Sequence, residues 1–132
     1  GAGHLDLFDV STRTPSRLAT VQQTSPRAGE RFGAAIAVGD IDRDGLAEVI
    51  VGTPGQATSG QARAGAVELL AWTGSTLAVD GSMQSAGVDR AFGAATPRAN
   101  LGHAVVIADG VVIAGSPGAL GTAGAALAIR LR

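Results

Sequence analysis

The chain has 132 residues, which is enough for one domain or for part of a larger one. A net charge of −1 without any basic cluster argues against nucleic acid as a partner, and the absence of cysteine excludes disulfides, thiolate metal sites and a cysteine nucleophile. The composition is 45% hydrophobic but only 3% aromatic, with 20 glycines, so the apolar residues are mostly small and aliphatic, which favours closely packed strands. No apolar run reaches the roughly 18 residues that a membrane-spanning helix needs, and no secretory signal is recognised.

Short apolar runs separated by turn residues predict an all-β chain with nine strands and no helix. In chain order, the predicted strands are 3–10, 17–23, 33–39, 47–52, 65–72, 76–83, 102–108, 111–115 and 124–131. Burial of both faces is predicted where the apolar run does not alternate, at 34–38, 49–51, 105–108 and 111–114. More exposed strands are predicted where the pattern alternates and carries acids, at 3–10 and 65–72.

Two separate landmarks indicate an internal repeat of about 60 residues. The strand that starts at Gly3 recurs in form at Gly65 and at Gly124. Independently, the tetrapeptide Gly-Thr-Pro-Gly at 52–55 recurs as Gly-Ser-Pro-Gly at 115–118. A repeat of this length with four strands has the size of one β-propeller blade. We therefore predict a partial β-propeller of about two four-stranded, antiparallel blades.

The segment Phe32–Gly55 is the most informative, because an acidic loop separates its two apolar runs. The loop carries four carboxylates within nine residues, at Asp40, Asp42, Asp44 and Glu48. Oxygen ligands at alternate positions, with Gly45 to turn the chain, are what a hard cation such as Ca²⁺ requires. In the shorter copy at 101–118, Asp109-Gly110 stands between the two apolar runs, which is typical of a two-residue β-hairpin turn. The long copy is therefore predicted to be the same hairpin, expanded to hold an ion.

The acidic loop has interpretations other than a calcium site. A solvated acidic turn closed by Asp44-Gly45 is the simplest alternative. An EF-hand loop is excluded, since it needs an acid at its twelfth position and that position is Val51. Magnesium is disfavoured because it usually retains several waters.

Three elements in order resemble the FG-GAP repeat, which occurs in integrin α-subunit propellers and in many bacterial surface proteins. They are Phe32-Gly33, the Asp-x-Asp-x-Asp-Gly loop and Gly52-Thr53-Pro54. The resemblance implies one structural Ca²⁺ ion bound by the backbone carbonyl of Leu46 and by the side chains of Asp40, Asp42, Asp44 and Glu48. Two positions depart from the family pattern: Glu48 stands where Asp is usual, and Leu101 replaces Phe in the second copy.

The domain organisation follows from placing the strands in blades. Residues 1–30 are expected to form the outer strands three and four of a partial blade, and residues 31–85 a complete blade with the calcium loop. Residues 86–132 are expected to form strands one to three of a final blade without that loop. Because a propeller needs at least four blades, we expect a protein partner, either the remaining blades on another chain or identical subunits, with no nucleic acid and no membrane span.

No residue pattern for catalysis is found, since His4 and His103 have no matching acid or nucleophile. We expect a non-enzymatic, calcium-binding scaffold or adhesion module that binds other proteins and lies outside the cell or on its surface. Two alternatives stay open. The chain could be the structural propeller of a secreted enzyme whose catalytic residues lie elsewhere, or the subunit of a homo-oligomeric assembly or filament.

Overall fold

The computed structural model describes residues 3–23, 25–74, 76–84, 96–121 and 123–130. Within these residues the chain forms nine β-strands and no helix, so the all-β prediction is confirmed. The strands are β1 (Leu5–Asp9), β2 (Ser16–Val21), β3 (Ala35–Gly39), β4 (Glu48–Thr53), β5 (Ala66–Trp72), β6 (Leu77–Gln84), β7 (Val105–Ala108), β8 (Val111–Ser116) and β9 (Ala125–Arg130). Each predicted strand is present, because apolar runs bounded by Gly, Pro, Asp and Ser are local signals.

The nine strands form three antiparallel sheets that follow one another along the chain. The first sheet contains β1 and β2, the second has the order β3-β4-β5-β6, and the third has the order β7-β8-β9. Every pairing joins strands that are neighbours in the chain, so the second and third sheets are β-meanders. The β3–β4 ladder ends at the pair Gly39 and Glu48, and the β7–β8 ladder ends at Ala108 and Val111. Both predicted hairpins are therefore confirmed.

The sheets stack on one another through two apolar clusters. Between the first and second sheets, the buried side chains are Phe32, Val49, Val51, Leu70 and Leu77, against which Leu5, Leu7 and Val21 pack. Between the second and third sheets, the buried side chains include Ile50, Val67, Leu69, Leu101, Val112 and Ala114. The second sheet thus has apolar contacts on both faces, which explains why every residue of β4 is buried.

The predicted burial of both faces is correct for β4 but wrong for β3, β7 and β8, whose residues alternate between more buried and more exposed positions. The exposed apolar side chains on these strands are Ile36, Val38, Val106 and Ile113. Ile36 and Val38 pair with Val51 and Val49 on the face turned towards the first sheet, which has only two strands to cover it. Val106 and Ile113 lie on the side of the third sheet that no other described sheet covers.

Strand β5 is also buried, although its alternating pattern predicted a more exposed strand. The reason is its position: it lies between β4 and β6 in the sheet that is stacked on both faces. Its acidic residue, Glu68, is only partly exposed. Burial here depends on the stacking of sheets, which the pattern of one strand does not encode.

Close backbone contacts join the second and third sheets. A Cβ atom at Gly52 would clash with the carbonyl oxygen of Gly102, so the two backbones meet more closely than any side chain at Gly52 would allow. Gly33 and Gly115 have no such close contact among the described residues. A Cβ there would lie 3.7 Å from the His4 carbonyl oxygen and 3.8 Å from the nearest atoms of Ala104, respectively, which are ordinary contacts.

Candidate metal site

The acidic loop connects β3 to β4 at one end of the second sheet. Asp40 follows the last residue of β3, and Glu48 is the first residue of β4, so Asp40 lies next to the final rung of the ladder and Glu48 belongs to it. Within the loop, Arg43 and Gly45 have positive φ angles of 67° and 90°. These two left-handed residues turn the chain back on itself and return the loop to the sheet.

Backbone amides inside the loop hold its three aspartates. The amide of Gly45 donates to Asp40 Oδ2 at 3.0 Å, and the amide of Asp44 donates to Asp42 Oδ1 at 3.1 Å. The amide of Leu46 in turn donates to Asp44 Oδ1 at 2.8 Å. These are the side-chain-to-backbone bonds that favour Asp in turns, and all three are formed within the loop itself.

Glu48 differs from the aspartates because its side chain is buried, with 7% of its surface exposed. Its Oε2 accepts a hydrogen bond of 2.7 Å from the amide of Ile41. Ile41 is itself 3% exposed and belongs to the apolar cluster between the second and third sheets. The glutamate and the isoleucine together attach the loop to the core.

Three of the predicted ligands meet at one point. Asp40, Asp42 and Glu48 each place a carboxylate oxygen within 4.8 Å of the other two. Asp44 is not part of this group and turns an oxygen towards the amide of Leu46 instead. The metal roles of all five predicted ligands stay predictions, and this arrangement supports only the three that lie together.

The electrostatics of this group suit a cation. The ion pairs found among the described residues all involve Asp6, with His4 and Arg17, and none reaches the loop carboxylates. Like charges this close repel each other unless a positive charge lies between them. An all-oxygen set of ligands around that position matches the preference of Ca²⁺. The hydrogen bond from the Ile41 amide to Glu48 was not predicted from the sequence. The available signal was Ile41 itself, a single aliphatic residue between two acids.

A second polar group lies at the start of the chain but has no arrangement for catalysis. The Thr20 hydroxyl donates to Asp6 Oδ1 at 2.5 Å, while His4 Nε2 lies 3.1 Å from Asp6 Oδ2. The bond from Thr20 lowers the pKa of Asp6, and the charges of His4 and Arg17 act in the same direction. These exposed side chains form a cross-strand network on the first sheet.

The sheets and the loop define a class of protein: an all-β chain built from repeats, with an acidic loop in one hairpin. Residues 32–69 match the FG-GAP repeat family, which confirms the resemblance seen in the sequence. The match begins at Phe32, includes the acidic loop and ends within β5. The chain therefore contains an FG-GAP repeat over these residues, which make up less than half of its length.

FG-GAP repeats are typically non-catalytic structural modules, and they occur in extracellular proteins. A search of curated proteins gave no match to this chain. The part of the chain described by the structure contains no helix of the length and apolar character needed to cross a membrane.

Proposed function

We propose that this chain is a non-enzymatic segment of a calcium-binding β-propeller that acts outside the cell as a scaffold or as an adhesion and protein-binding module. The observation that carries the proposal is the convergence of Asp40, Asp42 and Glu48 within 4.8 Å, at the hairpin loop of an FG-GAP repeat. Since no basic side chain neutralises these carboxylates within the described residues, a bound cation is the simplest source of the missing positive charge.

The ion's role in this proposal is structural. Asp40 follows the last rung of the β3–β4 ladder and Glu48 belongs to that rung, so one ion bound to both would hold the two strand ends together. Asp44 and the carbonyl of Leu46 are proposed to complete the oxygen set. Calcium accepts six to eight oxygen ligands in flexible geometry, so a glutamate at the last position is compatible with it.

The propeller part of the proposal is supported by the way in which the sheets stack. Consecutive antiparallel sheets pack face to face, and each junction is filled by apolar side chains, most of them aliphatic. Radial repetition of such sheets is the propeller architecture. In this proposal the remaining blades come from another chain or from identical subunits, and they are the first protein partner of the segment.

The test of the calcium proposal is the thermal stability of the full chain in calcium and in a chelator. We expect calcium to raise the melting temperature of the natural sequence, and Asp42→Asn to abolish this increase. The matched control is Asp109→Asn in the short hairpin, where φ is 49° and asparagine is tolerated. A variant Asp42→Asn that keeps the full response to calcium would refute the assignment, and magnesium serves as the control ion.

A further inference from the structure

We infer that the uncovered face of the third sheet is a docking surface for a further sheet of the FG-GAP type, one that opens with Phe-Gly or Leu-Gly. The inference rests on the stacked-sheet arrangement in the proposed function, and it adds the site and the chemistry of the partner. This face is called the outer face here, and it consists of Val106, Ile113, Ala126 and Ala128. Val106 is 50% exposed and Ile113 is 38% exposed. Both belong to one row with Ala128 across the three strands, so the apolar surface is continuous.

The internal repeat shows what covers such a face. When the Gly-Ser-Pro-Gly and Gly-Thr-Pro-Gly segments are aligned, Val106 and Ile113 correspond to Ala37 and Ile50 of the second sheet. Ile50 is completely buried, and Ala37 packs against the same cluster, because the third sheet lies over them. The outer face thus continues a kind of interface that is already present inside the chain.

Two glycines supply an independent observation. In the second sheet, a Cβ at Gly52 or at Gly65 would clash with the backbone of Gly102 or of Leu101, respectively. Their counterparts in the third sheet are Gly115 and Gly124. Among the described residues beyond its chain neighbours, a Cβ on Gly115 would come no closer than 3.8 Å to any atom, and one on Gly124 no closer than 3.4 Å. The nearby atoms all belong to the same sheet or to its own turn. The third sheet therefore has glycine at both contact positions, and no described backbone from another sheet lies against either of them.

Backbone hydrogen bonds also indicate that the outer face lacks a neighbouring strand. At the existing junction, the amide of Leu101 donates to the Ala64 carbonyl at 3.0 Å, and the amide of Arg98 donates to the Ala62 carbonyl at 2.8 Å. The corresponding carbonyls of the third sheet belong to Ala123 and Gly121. No backbone hydrogen bond between described residues ends on either of them. The outer face therefore offers acceptors for the strand that would precede a further sheet.

The chemistry of the occupant follows from these contacts. It needs a large apolar residue that enters the junction, as Leu101 does with no exposed surface, followed by a glycine that lies against Gly115. The pair Leu101-Gly102 is already used at Gly65, and a Cβ at Gly3 would clash with the carbonyl of Phe32, so Phe32-Gly33 is also in use. In a second copy of the chain, both pairs that precede the first strand of a described sheet are therefore occupied. The occupant is therefore a different FG-GAP-type repeat.

The test adds a second copy of residues 85–130 directly after Arg130, which supplies a free Leu-Gly pair and a complete hairpin. We expect the extended protein to unfold in one cooperative transition, with a denaturant m-value larger by roughly one third, because m scales with the surface exposed on unfolding. Gly115→Ala in the original copy should uncouple the added sheet, since the new Cβ meets the docked backbone as it would at Gly52. The same change in the added copy is the matched control and should leave the coupling intact. The unextended chain that carries Gly115→Ala should have the same unfolding transition as the natural sequence.

The results separate the two proposals. An added sheet that unfolds independently in the protein without substitutions, or one that stays coupled despite Gly115→Ala in the original copy, overturns the docking surface. A calcium titration of the same protein tests the metal site separately, so either proposal can fail alone. Sedimentation velocity of the unextended chain tests the choice of occupant. Self-association that Gly115→Ala abolishes would show a second copy on this face and would overturn the assignment to a different repeat.

Discussion

Glu48→Gln should have opposite effects on stability in the absence and in the presence of calcium. Glutamine keeps an oxygen that can accept the hydrogen bond from the Ile41 amide, so the attachment of the loop to the core survives. What the change removes is one of three negative charges whose oxygens lie within 4.8 Å. The variant therefore tests the charge of the site separately from its hydrogen bonding.

The size of the effect can be worked from this geometry. Two unit charges at that separation repel by about 3 kcal/mol at an effective dielectric constant of about 20. Asp40 and Asp42 are exposed, so water and salt reduce the repulsion, and we expect a net gain of about 1 kcal/mol without calcium. For a chain of this size that corresponds to an increase in melting temperature of about 3 to 5 °C. With calcium, the variant should lose most of the stabilisation provided by the ion, because a charged ligand is missing.

The assay is thermal unfolding followed by circular dichroism, in a chelator and in calcium, at low and at high salt. The gain in chelator should shrink as salt increases, since screening weakens the repulsion that the variant removes. Glu68→Gln is the control, because Glu68 lies on β5 outside the carboxylate group and its effect should not depend on calcium. A Glu48→Gln variant that is destabilised equally in both conditions would refute the reasoning, and Glu48 would then serve only as an acceptor for the Ile41 amide.

Two further predictions concern the core and the pH dependence. Leu101→Ala should destabilise the fold by about 2 to 5 kcal/mol in denaturant unfolding, because the side chain is fully buried between sheets. The control is Leu120→Ala, at a position that is 50% exposed, which should destabilise the fold far less. Equal losses of stability in the two variants would contradict the stacking of the sheets. Burial raises the pKa of Glu68 above its usual 4.5, with the charge of Glu30 adding to the effect and a bond from Gln23 opposing it. The folded state then holds the proton more tightly than the unfolded state, so stability falls as pH rises from about 4.5 through the folded pKa. Glu68→Gln should therefore stabilise the protein at pH 7 relative to the natural sequence, with less gain at pH 4, and a gain independent of pH in denaturant titrations would contradict this.

The strands and hairpins could be predicted from the sequence because their signals are local. Asp109-Gly110 between two apolar runs identifies the short hairpin, and its alignment with 40–48 identifies the long one. Burial could not be predicted in the same way. Val106 and Ile50 both lie in aliphatic runs, yet one is half exposed and the other completely buried, because only Ile50 has a sheet stacked over it.

The candidate site was predicted in part for a similar reason. The spacing of the acids indicated a cation loop, and the structure brings Asp40, Asp42 and Glu48 together. The position of Asp44 outside that group depends on its bond to the Leu46 amide, which spacing alone does not determine. The burial of Glu48 depends on the core around Ile41, so it required the stacked sheets.

The acidic loop satisfies its aspartates with its own amides and reaches the rest of the protein chiefly through Ile41 and Glu48. A loop built in this way is portable. A two-residue turn could be replaced by this loop, or the loop by such a turn, without changing the sequences of the strands on either side. The hairpin at Asp109-Gly110 is the natural recipient, since its strands pair as β3 and β4 do. A loop grafted there would need counterparts of Ile41 and Glu48 as well as the aspartates, because these two residues attach the loop to the core.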